Sequence, residues 1–549
     1  MTTTQLVPRM YLKFDGADAS EEVMDSVISI EVDDSLTLPD MFSIHLRDTN
    51  LKWIDDDTFS PGKSVDISAK NGGAEVKLIT GEITGIEPRL DQTAGPTLIL
   101  RGFDKSHRLS RGKKTTSFVQ MTDSDIAKKI AQNSGFKTKI DSTREVHEYV
   151  LQDNKTDWEF LVSRSQRIGY RVLVKDDTLH FVQIPDANED TPTVEWAEDL
   201  TEFNARLSTM RQVSEVIVQG WDPGKKQQIV GQATQSNDTP QIGEGQQGSQ
   251  TTQQAFSLST KEIIVNRPVS TQAEADAMAQ SICDEIGQGF IEAECIALGN
   301  PAIQAGVMVK LEGLGDRFSG TYRTTHAMHR YDPAGYFTEF TIGGRHATTI
   351  NELLSTKKNN HSHSPTLGVV TNNDDPKKLG RIKVNMPTLS NSQESTWARL
   401  VTPGAGENKG LAWIPDVGDE VLVLFEHEDV NYPLVIGGLW SEDAGPADSS
   451  NLVDSGKGTT MRIDTHEKMG LIIMDKPDDT SLQIGDQDNH ISISKTDAKA
   501  IIKSSNEINL EGVNISIDAD ANINLKSSAN IKIEAGGVVE IKGSVIQLN

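Results

Sequence analysis

Two histidines past the middle of the chain come nearest, in type and spacing, to a metal site. His361 and His363 lie on one side of an extended chain, and three copies of the pair around an axis would supply the six ligands of an octahedral iron or nickel site. The surrounding sequence, KKNNHSHSP, is typical of a polar linker, in which histidines are ordinarily solvated. We therefore expect no metal ion and no cofactor, and we keep His361 and His363 as weak candidate ligands.

Other fragments of catalytic or nucleotide-binding motifs are incomplete. Gly243–Gly248 (GEGQQG) has the glycine spacing of a dinucleotide-binding loop, but no strand pattern precedes it and no helix pattern follows it. Adjacent carboxylates such as Asp374-Asp375 have the composition of solvated turns. Three His-Glu pairs begin a zinc-protease motif and lack its second histidine: His147-Glu148, His427-Glu428 and His466-Glu467. The sequence predicts no catalytic residue, no cofactor-binding residue and no enzymatic activity.

The composition argues against several classes of protein. The 53 Lys and Arg residues against 80 Asp and Glu give a formal charge of −27, which disfavours binding to nucleic acid or to anionic lipid. Only Cys283 and Cys295 could form a disulfide, and their neighbours predict two small core residues instead. The N-terminus lacks a signal-peptide pattern, so we expect synthesis in the cytoplasm and export by another route.

The elements that would position these residues change type along the chain. Alternation of apolar and polar residues predicts short strands up to about residue 115 and again after about residue 200. Between them, Thr122 with Asp125 and Thr156 with Glu159 have the spacing of capping boxes, which predicts two helices in a small α+β unit.

Three later segments have distinctive compositions. Residues 227–254 contain 10 Gln among 28 residues, which predicts a mobile loop. Residues 367–441 hold five short strand patterns, the strand count of an oligonucleotide/oligosaccharide-binding (OB) barrel. From Ser441 to Asn549 there is no Phe, Trp or Tyr, so this tail must form a core without aromatic rings.

The tail repeats pairs of aliphatic residues separated by one position. The pairs begin 7, 8, 8, 8 and 7 residues apart, and looser pairs precede them from Met461 onward. Such a short period is typical of a β-solenoid or an intertwined β-prism. One such strand leaves both edges unpaired, whereas three copies around an axis would pair every edge, so we expect an obligate homotrimer. The predicted core residues are Ile508, Leu510, Ile515, Ile517, Ile523, Leu525, Ile531, Ile533, Val539 and Ile541.

Motifs in the barrel segment resemble one family in kind and in order. They are Asp375-Pro376, Gly380-Arg381, Trp397-Ala398-Arg399, Ile414-Pro415, Val417–Val421 and Pro433–Gly437. They are similar to the barrel of the spike proteins of contractile injection machines. That family includes the valine–glycine repeat (VgrG) spikes of type VI secretion, phage baseplate hub–spike proteins and the spikes of extracellular particles such as antifeeding prophage. The upstream region resembles the family's hub more loosely, and the repeating tail resembles its needle.

The resemblance implies a mainly β fold with two β-barrel-like hub domains, a small α+β insertion, an OB-fold barrel and an intertwined trimeric β-helix or prism as needle. The expected boundaries are 1–115 for hub domain 1, 116–200 for the insertion, 201–350 for hub domain 2, 351–366 for a linker, 367–441 for the OB-fold and 442–549 for the needle. Such a trimer would adapt a sixfold inner tube to a threefold needle and puncture a membrane when the sheath contracts.

The resemblance also implies partners. The hub would contact inner-tube and baseplate proteins, a proline–alanine–alanine–arginine repeat (PAAR) tip protein would cap the needle, and a cargo toxin is a further candidate. We expect Val545, Ile546 and Leu548 to dock the tip protein by apolar burial; the alternative is that they only close the needle core. The target membrane would be contacted only during puncture, by a phage-tail-like particle released from the cell.

Two other functions stay open at this stage. The chain could be a type VI or phage-tail spike that carries an unrecognised hydrolase, or a trimeric fibre that binds a receptor. Only about 20 residues separate Trp440 from Met461, and the last aliphatic pair ends the chain, so we expect no enzyme at either position where some relatives have one. Receptor fibres usually end in a tip rich in aromatic residues, which this tail lacks. Both observations favour the structural function.

Overall fold

The computed structural model describes residues 9–36, 38–70, 74–183, 191–222, 225–242, 247–343, 364–390 and 392–547. The chain forms two compact units, residues 1–439 and residues 440–549. Strands make up 44% of the protein and helices 13%, which confirms the expected mainly β fold. Among the helices in these ranges, none is both long enough and apolar enough to cross a lipid bilayer.

The first β-rich region, residues 9–104, is an antiparallel sheet with a short α-helix and, at Asp57–Phe59, one turn of 3₁₀ helix. Its elements are β1 (Arg9–Phe14), β2 (Ala17–Asp18), α1 (Glu21–Ser26), β3 (Val27–Ser35), β4 (Met41–Arg47), β5 (Ser64–Lys70), β6 (Val76–Arg89) and β7 (Thr97–Asp104). The strand order is β3-β4-β7-β6-β5-β1-β2. Phe42, Ile44 and Leu46 alternate along β4 and are fully buried, because alternate side chains of a strand share one face.

The insertion module, residues 114–183, is the expected small α+β unit. Its elements are β8 (Lys114–Thr122), α2 (Asp123–Asn133), β9 (Lys137–Ile140), β10 (Val146–Lys155), α3 (Asp157–Arg167), β11 (Tyr170–Lys175) and β12 (Thr178–Gln183). The Thr122 hydroxyl accepts the Asp125 amide at 3.1 Å, and the Thr156 hydroxyl accepts the Glu159 amide at 3.1 Å. Both predicted capping boxes are therefore present.

The second β-rich region, residues 191–343, extends the first sheet. Its elements are β13 (Thr193–Glu195), β14 (Leu200–Leu207), β15 (Glu215–Asp222), β16 (Gln227–Ala233), β17 (Gln241–Ile242), α4 (Gly248–Phe256), β18 (Lys261–Ile264), α5 (Gln272–Gln288), β19 (Ile291–Leu298), β20 (Met308–Glu312), β21 (Gly320–Asp332) and β22 (Gly335–Ile342). β21 pairs antiparallel with β3, placing His326 opposite Ser35. Within the described residues, one continuous sheet thus contains two blocks of seven strands, β1–β7 from the first region and β13, β14, β17, β19, β20, β21 and β22 from the second.

In the part of the chain that the structure describes, much of the Gln-rich segment forms the regular elements β16, β17 and α4, so the prediction of a loop is wrong for residues 227–233, 241–242 and 248–254. β16 pairs with β15 along its whole length, and Ile229 and Ala233 are buried beneath α5. Gly231 lies so close to α5 that a Cβ there would come within 2.2 Å of Ala275. The Gln residues between these small and apolar positions conceal a period-two pattern, so the composition alone suggests disorder where packing supplies order.

The GEGQQG stretch lies between two elements that the sequence pattern did not predict. β17 precedes this stretch and α4 begins at its last residue, Gly248. The sequence had predicted no strand before the stretch and no helix after it, and that prediction is wrong. However, β17 is a two-residue strand that pairs antiparallel with β21. A dinucleotide-binding loop belongs to a parallel strand–helix–strand unit, and this arrangement is not of that kind.

The barrel module, residues 364–439, has the five-stranded sheet expected of the OB segment. Its strands are β23 (Thr366–Asn372), β24 (Lys383–Asn385), β25 (Arg399–Leu400), β26 (Ala405–Gly406), β27 (Lys409–Gly410), β28 (Glu420–Phe425) and β29 (Pro433–Gly438). The main sheet has the order β24-β23-β28-β29-β25. Leu151 of the insertion module is buried in the same core, and its amide donates to Asn431 Oδ1 at 2.7 Å. The two modules are therefore packed together.

The second unit begins with short antiparallel strands. Its strands are β30 (Val453–Asp454), β31 (Lys457–Gly458), β32 (Thr460–Asp464), β33 (Gly470–Lys476), β34 (Asp479–Gly485), β35 (His490–Ser494) and β36 (Lys499–Lys503). The last five form one sheet in chain order, called here the meander (residues 460–503). Residues 504–547, called here the extended segment, contain no strand within the described chain.

Candidate assembly surfaces

The family signature in the barrel module builds a rigid turn. Asp375 is buried and accepts the main-chain amides of Lys377 at 3.0 Å and Leu379 at 2.8 Å. Its carboxylate also takes a bidentate pair of hydrogen bonds from Arg381, at 2.7 and 3.1 Å. The Arg381 guanidinium and these amides hold the pKa of Asp375 well below its usual range. Gly380, at φ +71, supplies the left-handed backbone that brings Arg381 back onto Asp375.

Trp397, which lies just before β25, completes this arrangement. The guanidinium of Arg381 lies 5.7 Å from its ring centroid, and the ammonium of Lys383 lies 5.5 Å from the centroid. Cations at these distances are attracted to the electron-rich face of an indole ring. Ala398, beside Trp397, is fully buried and exchanges main-chain hydrogen bonds with Ile382. The signature residues therefore fix the shape of the barrel and place no nucleophile beside a base.

The barrel module also exposes several large apolar side chains. These residues lie mainly in the turns that connect its short strands: Val401, Leu411, Trp413, Ile414, Val417 and Ile436. Single exposed apolar residues are common on protein surfaces, so these side chains by themselves do not define a contact surface. Sequence reasoning missed this set, although Leu411, Trp413 and Ile414 stand close together in the sequence.

The meander presents two rows of apolar residues on one face. In an antiparallel sheet, residues directly opposite each other project from the same face, and so do residues two apart on a strand. The first row crosses all five strands as Met461, Ile473, Leu482, Ile493 and Ala500. The second row is Ile463, Leu471, Ile484, Ile491 and Ile502. The looser pairs seen in the sequence thus come together through strand register, and Ala500 and Ile502 complete them.

The opposite face of the meander is mixed and mostly polar. Arg462 forms an ion pair with Asp464, with Nε 2.6 Å from Oδ2. Gln483 and Ser492 lie opposite one another on the same face. Since Ile473 is 40% exposed and Ile502 59% exposed, the apolar rows have no covering layer in the second unit as described. The meander is therefore an amphipathic sheet with a bare apolar face.

The extended segment leaves all its predicted core residues accessible in the single chain. The ten predicted core residues, which lie between Ile508 and Ile541, are each between 50% and 71% exposed. Within the described residues 504–547, no main-chain amide donates to a main-chain carbonyl. Bends in the chain recur between the pairs, near residues 505, 513, 520, 528, 536 and 544. The segment is therefore a series of short straight stretches with unpaired edges, and the single chain does not close into a solenoid here.

The predicted tip and metal residues lie partly outside the described chain. Val545 is 75% exposed and Ile546 52% exposed, which leaves both available for contact. Leu548, the third predicted docking residue, is outside the described residues, as are His361 and His363. Among the described residues, no group of three or more His, Cys, Asp or Glu side chains is placed to hold a metal ion. Cys283 and Cys295 are both buried, as predicted from their surroundings.

Comparison with protein families gives two matches that together extend over most of the sequence. Residues 5–332 match the family described as the Alg8 N-terminal domain. Residues 366–440 match the family described as the type VI secretion system/phage-baseplate injector OB domain. The second match coincides with the five-stranded barrel module and includes the turn built by Asp375 and Arg381.

Curated relatives match over a short stretch. The chain is 33% identical over 97 residues to the type VI secretion system spike protein VgrG3 of Vibrio cholerae, covering 17% of this chain and 9% of that protein. It is 30% identical over 95 residues to the actin cross-linking toxin VgrG1 of Vibrio cholerae, covering 17% of this chain and 8% of that protein. The matched stretches thus span less than a tenth of either relative.

Among solved structures, the Francisella PdpA–VgrG complex in its lidded state has a similar fold. The TM-score is 0.52 at 8% sequence identity, and the match covers 92% of this chain and 81% of that chain. At this identity the likeness concerns the fold alone. It extends the comparison beyond the barrel module to nearly the whole chain.

Proposed function

Since the chain belongs to the Alg8 N-terminal domain family and is a VgrG-like baseplate spike protein, we propose that three copies form the hub and puncturing spike of a contractile injection system. The single observation that carries this proposal is the extended segment. Its aliphatic pairs are exposed and its main-chain edges are unpaired in one chain. Both deficiencies are removed when copies of the segment wind around a common axis.

The energetics of the extended segment favour an obligate assembly. In a single chain, the unpaired main-chain edges of each stretch and the aliphatic side chains beside them are exposed to water together. Burying a valine, leucine or isoleucine side chain fully stabilises a protein by about 1.5–3 kcal/mol, so ten such residues per chain favour association strongly. Three chains are the fewest that can surround an axis and give each strand a neighbour on both sides. The absence of aromatic rings after Trp440 agrees with a core too narrow to hold them.

The continuous sheet supports the role of an adapter between a sixfold tube and a threefold needle. One chain supplies two blocks of seven strands, one from each β-rich region, joined side by side through β21 and β3. Three chains therefore supply six blocks of similar strand number. A ring of six blocks could meet inner-tube subunits one to one while the same three chains continue into one needle. In this proposal the hub extends over residues 1–350 and also contacts baseplate proteins.

At the other end, Val545, Ile546 and Leu548 would bind a tip protein of the PAAR type. Exposed aliphatic residues beside free strand ends are a suitable surface for such a cap. The role is mechanical: the spike carries its tip, and any cargo toxin, through the target membrane, and the protein has no catalytic part. The particle would be assembled in the cell that makes it and act outside that cell.

The proposal is tested by the mass of the full-length protein in sedimentation velocity. The expected species has three times the 60.0 kDa mass of the chain. Ile523→Asp would place three unpaired carboxylates at the proposed core, where burial of each charge costs several kcal/mol, and should yield monomers. Asn522→Asp, which adds the same charge one position earlier, should leave the trimer intact. A monomeric wild-type protein, or a trimeric Ile523→Asp variant, would contradict the proposal.

A further inference from the structure

The extended segment has a weakness as an assembly element, because its repeats are nearly alike. The aliphatic pairs recur at intervals of 7 or 8 residues, and each pair is separated from the next by a short polar stretch. One chain displaced by a whole repeat would still place aliphatic pairs against aliphatic pairs. Only the end repeats would lose their partners. Repetitive strands of this kind specify their register weakly and are prone to slip.

The meander does not share this weakness. Its five strands are paired within one chain, from Met461 opposite Ile473 to Ile491 opposite Ile502. A slip of any strand by one residue would move its apolar residues to the polar face and break the pairing on both sides. The meander therefore has a fixed register before it meets another chain.

The apolar face of the meander also varies in shape from one strand to the next. The first row begins with Met461 and ends with Ala500, whereas the second row begins with Ile463 and ends with Ile502. Two copies that met out of step would oppose Ala500 to a bulky residue or leave a void beside it, and either defect costs about 1–3 kcal/mol. This face has one preferred alignment with its own copies.

A second copy of the chain is the partner that best fits this face. The two rows contain no charged residue, although the protein has a formal charge of −27. The series of apolar pairs continues from Ile491 and Ile493 through Ala500 and Ile502 into the pairs that begin at Ile508, with the interval shortening from 9 to 8 residues. A surface continuous in pattern with the extended segment is expected to face the same axis. If this face bound a tip protein or a cargo, we would expect the series of aliphatic pairs to be interrupted at the binding surface.

We infer that the meander is the registration element of the needle: a self-folded sheet whose apolar face docks on the same face of two other copies and sets the register in which the extended segments wind. The inference rests on the proposed trimer and adds to it an order of assembly. The meanders associate first, in one alignment. The extended segments then pair from residue 504 towards the tip, each repeat being placed by the one before it.

The test compares three variants of the full-length protein, each with two substitutions. Ile473→Thr with Ile484→Thr adds polar groups to the apolar face while keeping β-branched side chains that suit a strand. Ile472→Thr with Gln483→Thr changes the same two strands on the opposite face and is the matched control. Ile523→Thr with Ile531→Thr weakens the extended segment by the same chemistry. Sedimentation gives the oligomeric state of each variant.

Register is read from a spin label on Ser528→Cys, at a bend of the extended segment, by electron–electron distance measurement. The native Cys283 and Cys295 are buried and shielded from the label. Three labels in register are equivalent and give one narrow distance, whereas a chain displaced by a repeat adds longer distances. We expect one narrow distance for the wild type, for the opposite-face control and for any trimer of the extended-segment variant. The apolar-face variant should show at least one additional distance.

Each outcome decides the inference. Additional distances in the apolar-face variant, or its loss of trimers while the extended-segment variant still trimerises, support it. One narrow distance in a trimeric apolar-face variant would overturn it, as would equal loss of trimers in both variants. Additional distances in the opposite-face control would also overturn it, because the effect would not belong to the apolar face. A monomeric wild type would instead overturn the proposed trimer itself, so the two failures are distinguishable.

Discussion

Arg167 Nη2 lies 2.6 Å from Glu274 Oε1, which joins the end of α3 to the first turn of α5. Arg167 also donates to the main-chain oxygen of Pro268 at 3.2 Å, and Glu274 accepts the Ser270 amide at 3.0 Å. The pair thus ties the insertion module to the second β-rich region. Because Leu151 of the same module is buried in the barrel core, the insertion module connects the second β-rich region to the barrel module.

Removing one partner of this pair should destabilise the protein markedly. Arg167→Met leaves the Glu274 carboxylate buried without its cation, and loss of one partner of a buried pair costs about 3–5 kcal/mol. The free energy of unfolding in denaturant should fall by about that amount. Adding Glu274→Met should restore much of the loss. Lys378→Met breaks an exposed pair with Asp374 and should cost less than about 1 kcal/mol; a similar loss in Arg167→Met and Lys378→Met would disprove the connecting role.

The order of the Gln-rich segment depends on the close approach of β16 and α5. Gly231→Ala would force a Cβ to within 2.2 Å of the Ala275 main chain, so one of the two elements must move. Overpacking of this kind costs about 1–3 kcal/mol and should lower the melting temperature and expose residues 227–242 to protease. Gly85→Ala is the control, since its new Cβ would lie 3.9 Å from the nearest atom. Rapid cleavage of this segment in the wild type would contradict its ordered packing.

Three carboxyl groups meet where β3, β4 and β7 adjoin the second β-rich region. The Ala305 amide donates to Asp34 Oδ2 at 2.9 Å, and the Asp104 amide donates to the main-chain oxygen of Asp40 at 2.8 Å. Burial raises the pKa of Asp34 to about 6 and that of Asp104 to about 7, and it also raises the pKa of Asp40. The nearby Arg171 limits the shift of Asp34.

These shifts predict a stability that falls as the pH rises. A raised pKa means that the folded protein holds the proton more tightly than the unfolded chain, so the contribution is complete below about pH 4 and is lost by about pH 7. Asp104→Asn should therefore reduce the loss of melting temperature between pH 5 and pH 8. Asp316→Asn, at an exposed turn, should leave that loss as in the wild type. An equal pH dependence in both variants would show that the cluster does not titrate as described.

The proposed tip surface predicts a selective loss of the tip protein. Deletion of residues 544–549 removes Val545 and Ile546 and should leave a trimeric spike that no longer co-purifies with a co-expressed PAAR-type protein. Apolar burial drives the contact, so Val545→Asp with Ile546→Asp should have the same effect. Lys542→Ala, just before this surface, should retain the tip protein. A truncated spike that kept its tip would place docking elsewhere.

Local chemistry made several features predictable from the sequence. Each capping box lies within four consecutive residues, so Thr122 and Asp125 predict the start of their helix without information from the rest of the chain. The aliphatic pairs after Ile508 are equally local, and they lie in the straight stretches between bends, as their spacing indicates. The barrel signature was visible because Asp375 and Arg381 are six residues apart and close one turn.

Tertiary structure alone decided what distant segments do to one another. The pairing of β3 with β21 joins residues about 300 positions apart. The periodicity of a strand does not predict which other strand will pair with its edge. Order in the Gln-rich segment comes from α5, which buries Ile229 and Ala233. The high glutamine content had predicted disorder in spite of these two residues. Likewise, the sequence shows the aliphatic pairs of the meander, but only the register of its strands aligns Ala500 and Ile502 with them in two rows. Periodicity fixes which face of an element is apolar, whereas its partner is chosen by shape and hydrogen bonding across the fold.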